Sequence, residues 1–214
     1  MFDKKIEYFE NIRSDIISLV DKGENKILEI GCGTGNTGLE LKQQGKAVEI
    51  VGVDIVPEVL EIAKSKIDKT ICADIETLKL PFSNEYFDYI LLGDVLEHLK
   101  NPWEVLLNLK RFIKKRGFII VSIPNVRYWK VIMNLIFRGE WKYSSEGVLD
   151  STHLRFFTKK SMLELINSAN LKVQCISPRT KLQPPNLCNK LNNLTFGLFE
   201  EFLTIQYVIK AQKE

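Results

Sequence analysis

Lys26-Ile27-Leu28-Glu29-Ile30-Gly31-Cys32-Gly33-Thr34-Gly35 carries a short apolar run into three alternating glycines, and Leu39 and Leu41 behind it open a helical spacing that closes at Gly45. The pattern reads as strand, glycine-rich turn, helix. A turn of this kind lets backbone approach a ligand closely, because glycine has no Cβ. Outward from it the alternation repeats. Residues 48–54 predict a second strand, 57–66 a helix with Pro57 in its first turn, and 70–73 a third strand. Residues 87–93 predict a fourth strand, 102–113 a helix and 117–123 a fifth strand. Thr158 N-caps a helix over 158–169, and strands at 171–176 and 202–211 complete the set. Strands that are apolar throughout and alternate with helices imply a sheet covered on both faces, so the expected class is α/β, doubly wound and Rossmann-like.

The composition agrees with a globular chain. Of 214 residues 45% are hydrophobic and 27% charged, which excludes a disordered, collagen-like or coiled-coil protein. Cys32, Cys72, Cys175 and Cys188 form no C-x-x-C pair and sit mostly in apolar runs, as buried, reduced thiols do. No run is long enough to span a membrane and the first residues lack an apolar signal core, so the expected address is cytoplasmic. A single domain over 1–214 is expected, with an N-terminal helix within 1–24 (its apolar stripe running over 4–21), a lid or substrate insertion at 125–157 and a loop at 178–199. The net charge of +3 is unevenly distributed: residues 100–142 hold ten Lys or Arg against Glu104 and Glu140.

The acids near the glycines narrow the ligand. A dinucleotide fingerprint wants a small residue where Asn36 falls, and Glu29, two residues before Gly31, would repel a pyrophosphate. A ligand bearing an ammonium group would welcome it. Glu29-Ile30-Gly31-Cys32-Gly33-Thr34-Gly35 resembles the first motif of the class I S-adenosylmethionine-dependent methyltransferases. That resemblance covers nearly the whole chain, and implies a mostly parallel seven-stranded sheet with an antiparallel last strand and S-adenosyl-L-methionine as cofactor.

It also implies roles for particular residues. Glu29, Gly31, Cys32, Gly33 and Gly35 would wrap the methionine part of the cofactor. Asp54 would take the ribose hydroxyls with Ile55 packing on the adenine, and Asp74 and Ile75 would meet the adenine edge. Asp94, at the end of the fourth strand, would belong to the cofactor or methyl-transfer pocket; as a simple strand-end residue it would instead cap the following helix.

On the acceptor side the chain has only two histidines. Asp94, Glu97 and His98 repeat a D/E-x-x-E-H spacing similar to quinone-pathway O-methyltransferases, where such residues lie near the acceptor and can hold a divalent ion; no metal set is assigned from the sequence itself. His153 lies in Asp150-Ser151-Thr152-His153-Leu154-Arg155-Phe156-Phe157-Thr158, which resembles a block of glycan-pathway methyltransferases. That resemblance implies that Asp150 orients His153, that His153 accepts a proton, and that Arg155 meets an anionic group; the other reading of the block is an internal hydrogen-bonded turn that fixes the lid. The candidate catalytic residues are therefore His153, His98 and Asp94. The aromatic and basic insertion either stacks on an extended acceptor, or Trp129, Ile132, Met133, Leu135 and Ile136 form the packed face of a lid helix. The expected partner is a small-molecule acceptor, with an oxygen of a sugar or glycan-pathway compound ahead of a quinone. No nucleic acid is expected, and the chain is expected to be a monomer or homodimer. An NAD-dependent oxidoreductase and a catalytically silent binding module are the alternatives from other classes.

Overall fold

The computed structural model describes residues 6–180 and 199–214. Seven strands, β1 (Lys26–Ile30), β2 (Glu49–Asp54), β3 (Lys69–Cys72), β4 (Phe87–Gly93), β5 (Ile113–Pro124), β6 (Leu171–Thr180) and β7 (Thr204–Lys213), form one sheet in the order β3-β2-β1-β4-β5-β7-β6. The pairings from β3 across to β5 are parallel, and β7 runs antiparallel between β5 and β6. The doubly wound arrangement with an antiparallel last strand is therefore present.

Alternation of side chains along the central strands supplies two cores. Leu28, Ile30, Ile90 and Leu92 point to the face covered by α4 (Pro102–Lys110) and α6 (Lys159–Ser168). Ile27, Ile50 and Leu91 point to the other, which holds Ile16 and Ile17 of α1 (Ser14–Ile17), Leu41 of α2 (Asn36–Gln43) and Leu60 and Ala63 of α3 (Pro57–Ala63). Glu29 shares the parity of Ile27 and so faces α2. Both faces are dry, which is why the strands read as unbroken apolar runs. The expected N-cap Thr158 is in place, accepting from the Ser161 amide while Ser161 Oγ accepts from the Thr158 amide.

Several expectations need correction. The N-terminal stripe does not form one helix: a 3-10 turn (Ile6–Glu10) and α1 are separated by a non-helical Arg13, and Ile6 and Ile12 are exposed. The cause is competition for carbonyls. Phe9 O accepts from both the amide and the hydroxyl of Thr34, and Glu10 O accepts from the Asn36 side chain, so these groups are taken up by the glycine turn rather than by a following helical turn. β5 starts at Ile113, four residues earlier than expected, because α4 ends at Lys110; Ile113 pairs with Phe87 before the register shifts and Arg116 adopts a left-handed φ of 62°. The last two strands run on to Thr180 and Lys213, and a helical turn, Glu200–Leu203, precedes β7. Of the described cysteines Cys32 is buried, Cys72 exposed and Cys175 half-buried, while Cys188 and most of the expected 178–199 loop lie outside the described residues.

Gly33 shows how tightly the N-terminal segment is seated. Its φ is +52°, and a Cβ there would stand 2.7 Å from the backbone oxygen of Phe9. Gly45 has a similar φ of +67° with nothing within 4 Å. Gly45→Ala is expected to cost about 1 kcal/mol, the left-handed penalty alone, and Gly33→Ala about 2–3 kcal/mol because backbone must also move. Denaturant midpoints for the two variants check this, and equal losses would mean that the Phe9 contact is soft.

Candidate active site

The strand order reverses between β1 and β4, and the connections that follow these strands leave in opposite directions, opening a crevice at their carboxyl ends. Glu29, the glycines, Asp54, Asp74 and Asp94 all lie at that edge. Parallel register brings them together: Glu29 sits opposite Gly52 on β2 and Leu91 on β4, and Asp54 opposite Cys72 on β3.

Gly31, Gly33 and Gly35 have φ of +70°, +52° and +76°, so the turn needs glycine for its conformation. It is held from below by the Gly31 and Cys32 amides, both donating to Val53 O, and from the side by Asp54. One Asp54 oxygen accepts from the Gly33 amide at 2.9 Å and the other from Val56 at 3.0 Å. Burial pushes this carboxyl upward, with the backbone donors opposing. Two amides leave further lone pairs for hydroxyl donors. Ile55, next to it, is an exposed apolar side chain of the sort that a flat ring can cover.

Glu29 is buried, and its Oε2 has no hydrogen-bond partner among the described residues. Burial pushes its pKa up to about 8, with Arg13 opposing the rise and Asp54 adding to it. A buried carboxyl oxygen without a donor is costly, and a ligand ammonium would relieve that cost. The Cys32 thiol is pushed upward by burial and then by Glu29 and Asp54, so it is an inert packing group. Asp74 folds its own turn, accepting from the Glu76 amide at 2.9 Å, and Ile75 packs on the core from the sheet edge.

Asp94 follows β4 with a left-handed φ of 57° and its carboxylate is surrounded by protein donors. Arg13 donates to Oδ2 at 2.8 Å, and Ser122 at 3.2 Å and Gln206 donate to Oδ1. The following 3-10 turn (Leu96–His98) has no side-chain cap, so the capping role does not apply. Arg13 also pairs with Asp15 and donates to Ser122, which fastens the N-terminal segment across β4 and β5. Tyr8, on the same segment, is pushed up to about 12 by burial and by the charges of Asp94 and Asp150. Arg13, Tyr8 and Gln206 were not picked out from the sequence, since they reach the crevice from opposite ends of the chain. No local spacing signals them.

The two histidines meet. Their ring centroids are 4.7 Å apart, edge to face. His153 Nδ1 lies 3.0 Å from Val148 O and His98 Nδ1 3.2 Å from Thr152 O. A carbonyl can only accept, so each Nδ1 carries the proton and each neutral ring has its lone pair at Nε2. His153 Nε2 is 4.0 Å from Glu97 Oε1. Glu97 is 1% exposed, and neither of its oxygens has a hydrogen-bond partner among the described residues. Burial, then Asp94, pushes it well above the usual carboxylate range, while burial and His153 push His98 down. Ligand atoms of Glu97, His98 and His153 all lie within 4.8 Å of one another, a donor set that also suits a divalent cation.

The block around His153 is also tied internally. Asp150 Oδ1 accepts from the amide and hydroxyl of Thr152 and so builds the turn, and Val148 O stands against His153 Nδ1. Arg155 donates to Lys100 O and lies over the Trp103 ring, so it braces the turn against the chain after the 3-10 segment.

A model of the methyltransferase domain family matches residues 5–176. Among curated proteins, a demethylmenaquinone methyltransferase of Listeria welshimeri is 28% identical over 128 residues, 56% of this chain and 54% of that protein. An uncharacterized protein of Methanocaldococcus jannaschii is 34% identical over 145 residues, 66% of this chain and 54% of its own. The match thus spans about half the length of these curated relatives. Among solved structures, an S-adenosylmethionine-dependent methyltransferase of Archaeoglobus fulgidus superposes with a TM-score of 0.71 at 20% identity, covering 97% of each chain. One of Methanosarcina mazei gives 0.66 at 16%, covering 95% of this chain and 99% of its own. The match to the family model over most of the chain, with the glycine turn, the buried Glu29 and the Asp54 anchor at the switch point, makes the chain a member of the methyltransferase domain family.

Proposed function

We propose that the enzyme moves the methyl group of S-adenosyl-L-methionine to a hydroxyl oxygen of a small-molecule acceptor, with His153 as the general base. The carrying observation is the fixed tautomer of His153, whose Nε2 lone pair stands beside the buried Glu97 carboxyl. A hydroxyl is a weak nucleophile until its proton has somewhere to go, and a proton arriving at Nε2 finds a carboxyl oxygen 4.0 Å away. His98 is the second imidazole within reach, and Asp94 positions rather than reacts, since it accepts from Arg13, Ser122 and Gln206.

For the cofactor, Glu29 is the group for the ammonium, the turn around Gly31, Cys32, Gly33 and Gly35 for the methionine part, Asp54 for the ribose hydroxyls, and Ile55, Asp74 and Ile75 for the adenine. The cofactor supplies an electrophilic methyl on a sulfonium. Its transfer in line needs positioning more than any covalent help from the protein.

A sugar or glycan-pathway compound is the leading acceptor, because the Asp150 to Thr158 block that delivers His153 is the one that resembles glycan-pathway enzymes. A quinone-type acceptor is the second reading, favoured by the likeness to the Listeria demethylmenaquinone methyltransferase. Methyl-labelled cofactor supplied with each acceptor class, followed by identification of the methylated atom, tests both; a carbon- or nitrogen-methylated product would overturn the hydroxyl reading. A chelator that leaves turnover unchanged assigns the Glu97, His98 and His153 group to proton transfer alone.

The cofactor assignments carry their own prediction. S-adenosylhomocysteine at a hundred times its dissociation constant stabilises by about 2.7 kcal/mol, which raises the melting midpoint by about 5–10 °C for a chain of this size. Asp54→Ala should remove most of that shift. An undiminished shift in the variant would show that the ribose lies elsewhere.

A further inference from the structure

The segment α5 (Trp129–Arg138) contradicts the expectation of a packed lid face. Only Val131 is buried on it, joined to Tyr128 and Val148 in a small cluster. At 100° per residue, Trp129, Ile132, Met133, Ile136 and Phe137 fall on one arc, Lys130, Asn134 and Arg138 on the next, and Val131 and Leu135 on the third. Among the described residues the apolar arc is exposed along with the polar one: Ile132 is half-buried, but Trp129 is 37% exposed, Met133 45%, Ile136 66% and Phe137 71%. A surface helix ordinarily buries its apolar arc. An apolar patch of this kind marks an interaction surface.

Charge selects the partner. From Arg127 to Gly139 there are three cations and no acid. Arg127 is paired with Glu201, which leaves Lys130 bordering the apolar arc on one side and Arg138 farther round the same side. A second copy seated on the same arc would bring the same cations and no acid of this segment to neutralise them. An anionic lipid surface would neutralise them while taking up the aromatic and aliphatic side chains, the usual composition of a helix lying in the membrane interface. Among the described residues no helix is long and apolar enough to cross a membrane, so α5 would lie in the plane.

We infer that α5 is an interfacial anchor that seats this enzyme on an anionic phospholipid bilayer. The placement is tied to the site: Val148, which packs against Val131, supplies the carbonyl that stands against His153 Nδ1. The acceptor side of the crevice therefore adjoins the membrane, where a lipid-linked or otherwise apolar acceptor would be met. This inference stands apart from the hydroxyl reading, and lipid binding is measured without turnover.

The test is co-sedimentation of the full chain with vesicles of phosphatidylcholine alone and of phosphatidylcholine mixed with phosphatidylglycerol. Wild type should pellet with the anionic vesicles, less so at high salt. Ile136→Glu with Phe137→Glu should weaken that binding at least about tenfold, and Lys130→Gln with Arg138→Gln should remove the preference for the anionic vesicles. The substituted side chains are exposed, so the melting midpoint and its shift with S-adenosylhomocysteine should be retained, which separates loss of anchoring from loss of fold or of cofactor binding. Wild type left in the supernatant with both vesicles overturns the inference, as does binding indifferent to the two glutamates. Sedimentation that reveals a dimer abolished by those glutamates, without vesicle binding, would hand the face to a second copy.

Discussion

His153→Ala is expected to slow methyl transfer by about 10²–10⁴-fold, the usual range for loss of a positioned general base, while S-adenosylhomocysteine still raises the melting midpoint as in wild type. The separation follows from geometry. His153 hangs from a turn near the end of the insertion, its Nδ1 bound to Val148 O and its Nε2 beside Glu97, and none of the glycine-turn or Asp54 contacts involves it. The variant also loses a bond that ties residues 148 and 153 together, so a structural loss has to be distinguished from a chemical one. Imidazole added to the medium distinguishes them: it restores part of the rate if the missing group is a base, and restores nothing if the turn has come apart. His98→Ala should be milder, since burial and the neighbouring His153 lower the proton affinity of His98. Full activity in His153→Ala together with a collapse in His98→Ala would transfer the role to His98. Full activity in both would remove the general-base reading altogether.

What could be read from the sequence was local. Glu29, the three glycines and Asp54 are legible because a strand, its turn and the next strand end lie within thirty residues, and parallel pairing of β1 with β2 leaves little freedom in how they meet. The Arg13 pair with Asp94 spans 81 residues and the Gln206 contact 112, and no periodicity reports either. The N-terminal stripe was misleading for a related reason. Its apolar spacing was right for a helix, but the carbonyls of Phe9 and Glu10 found donors in Thr34 and Asn36 instead. The α5 stripe teaches a separate lesson: spacing tells which side chains share a face, and says nothing of whether that face points inward. The Glu97, His98 and His153 group was half visible, since two of its members are neighbours in a motif while the third arrives from a turn 55 residues on.

Glu29→Gln should move stability and binding in opposite directions. The ordinary glutamate value is 4.5, and burial holds this one at about 8 in the folded, ligand-free protein. Because the folded pKa is raised, the favourable contribution of the protonated form is complete below about pH 4.5 and is lost progressively as pH rises through 8. Wild type should therefore weaken between those limits, whereas the glutamine variant, with nothing to ionise at this position, should show a flatter profile. At pH 8–9 the variant should be the more stable of the two, by on the order of 2 kcal/mol. Ligand binding should respond the other way. An ammonium group favours the ionised carboxylate, so wild type should release a proton on binding S-adenosylhomocysteine near pH 7, seen as a dependence of the calorimetric heat on the ionisation enthalpy of the buffer. Removing a charge-assisted bond of this kind costs about 1.5–3 kcal/mol, so Glu29→Gln should bind about 10–100-fold more weakly and release no such proton. A variant that is less stable than wild type at alkaline pH, yet binds as well, would show that Glu29 is a structural carboxylate with a donor of its own and that the ammonium is held elsewhere.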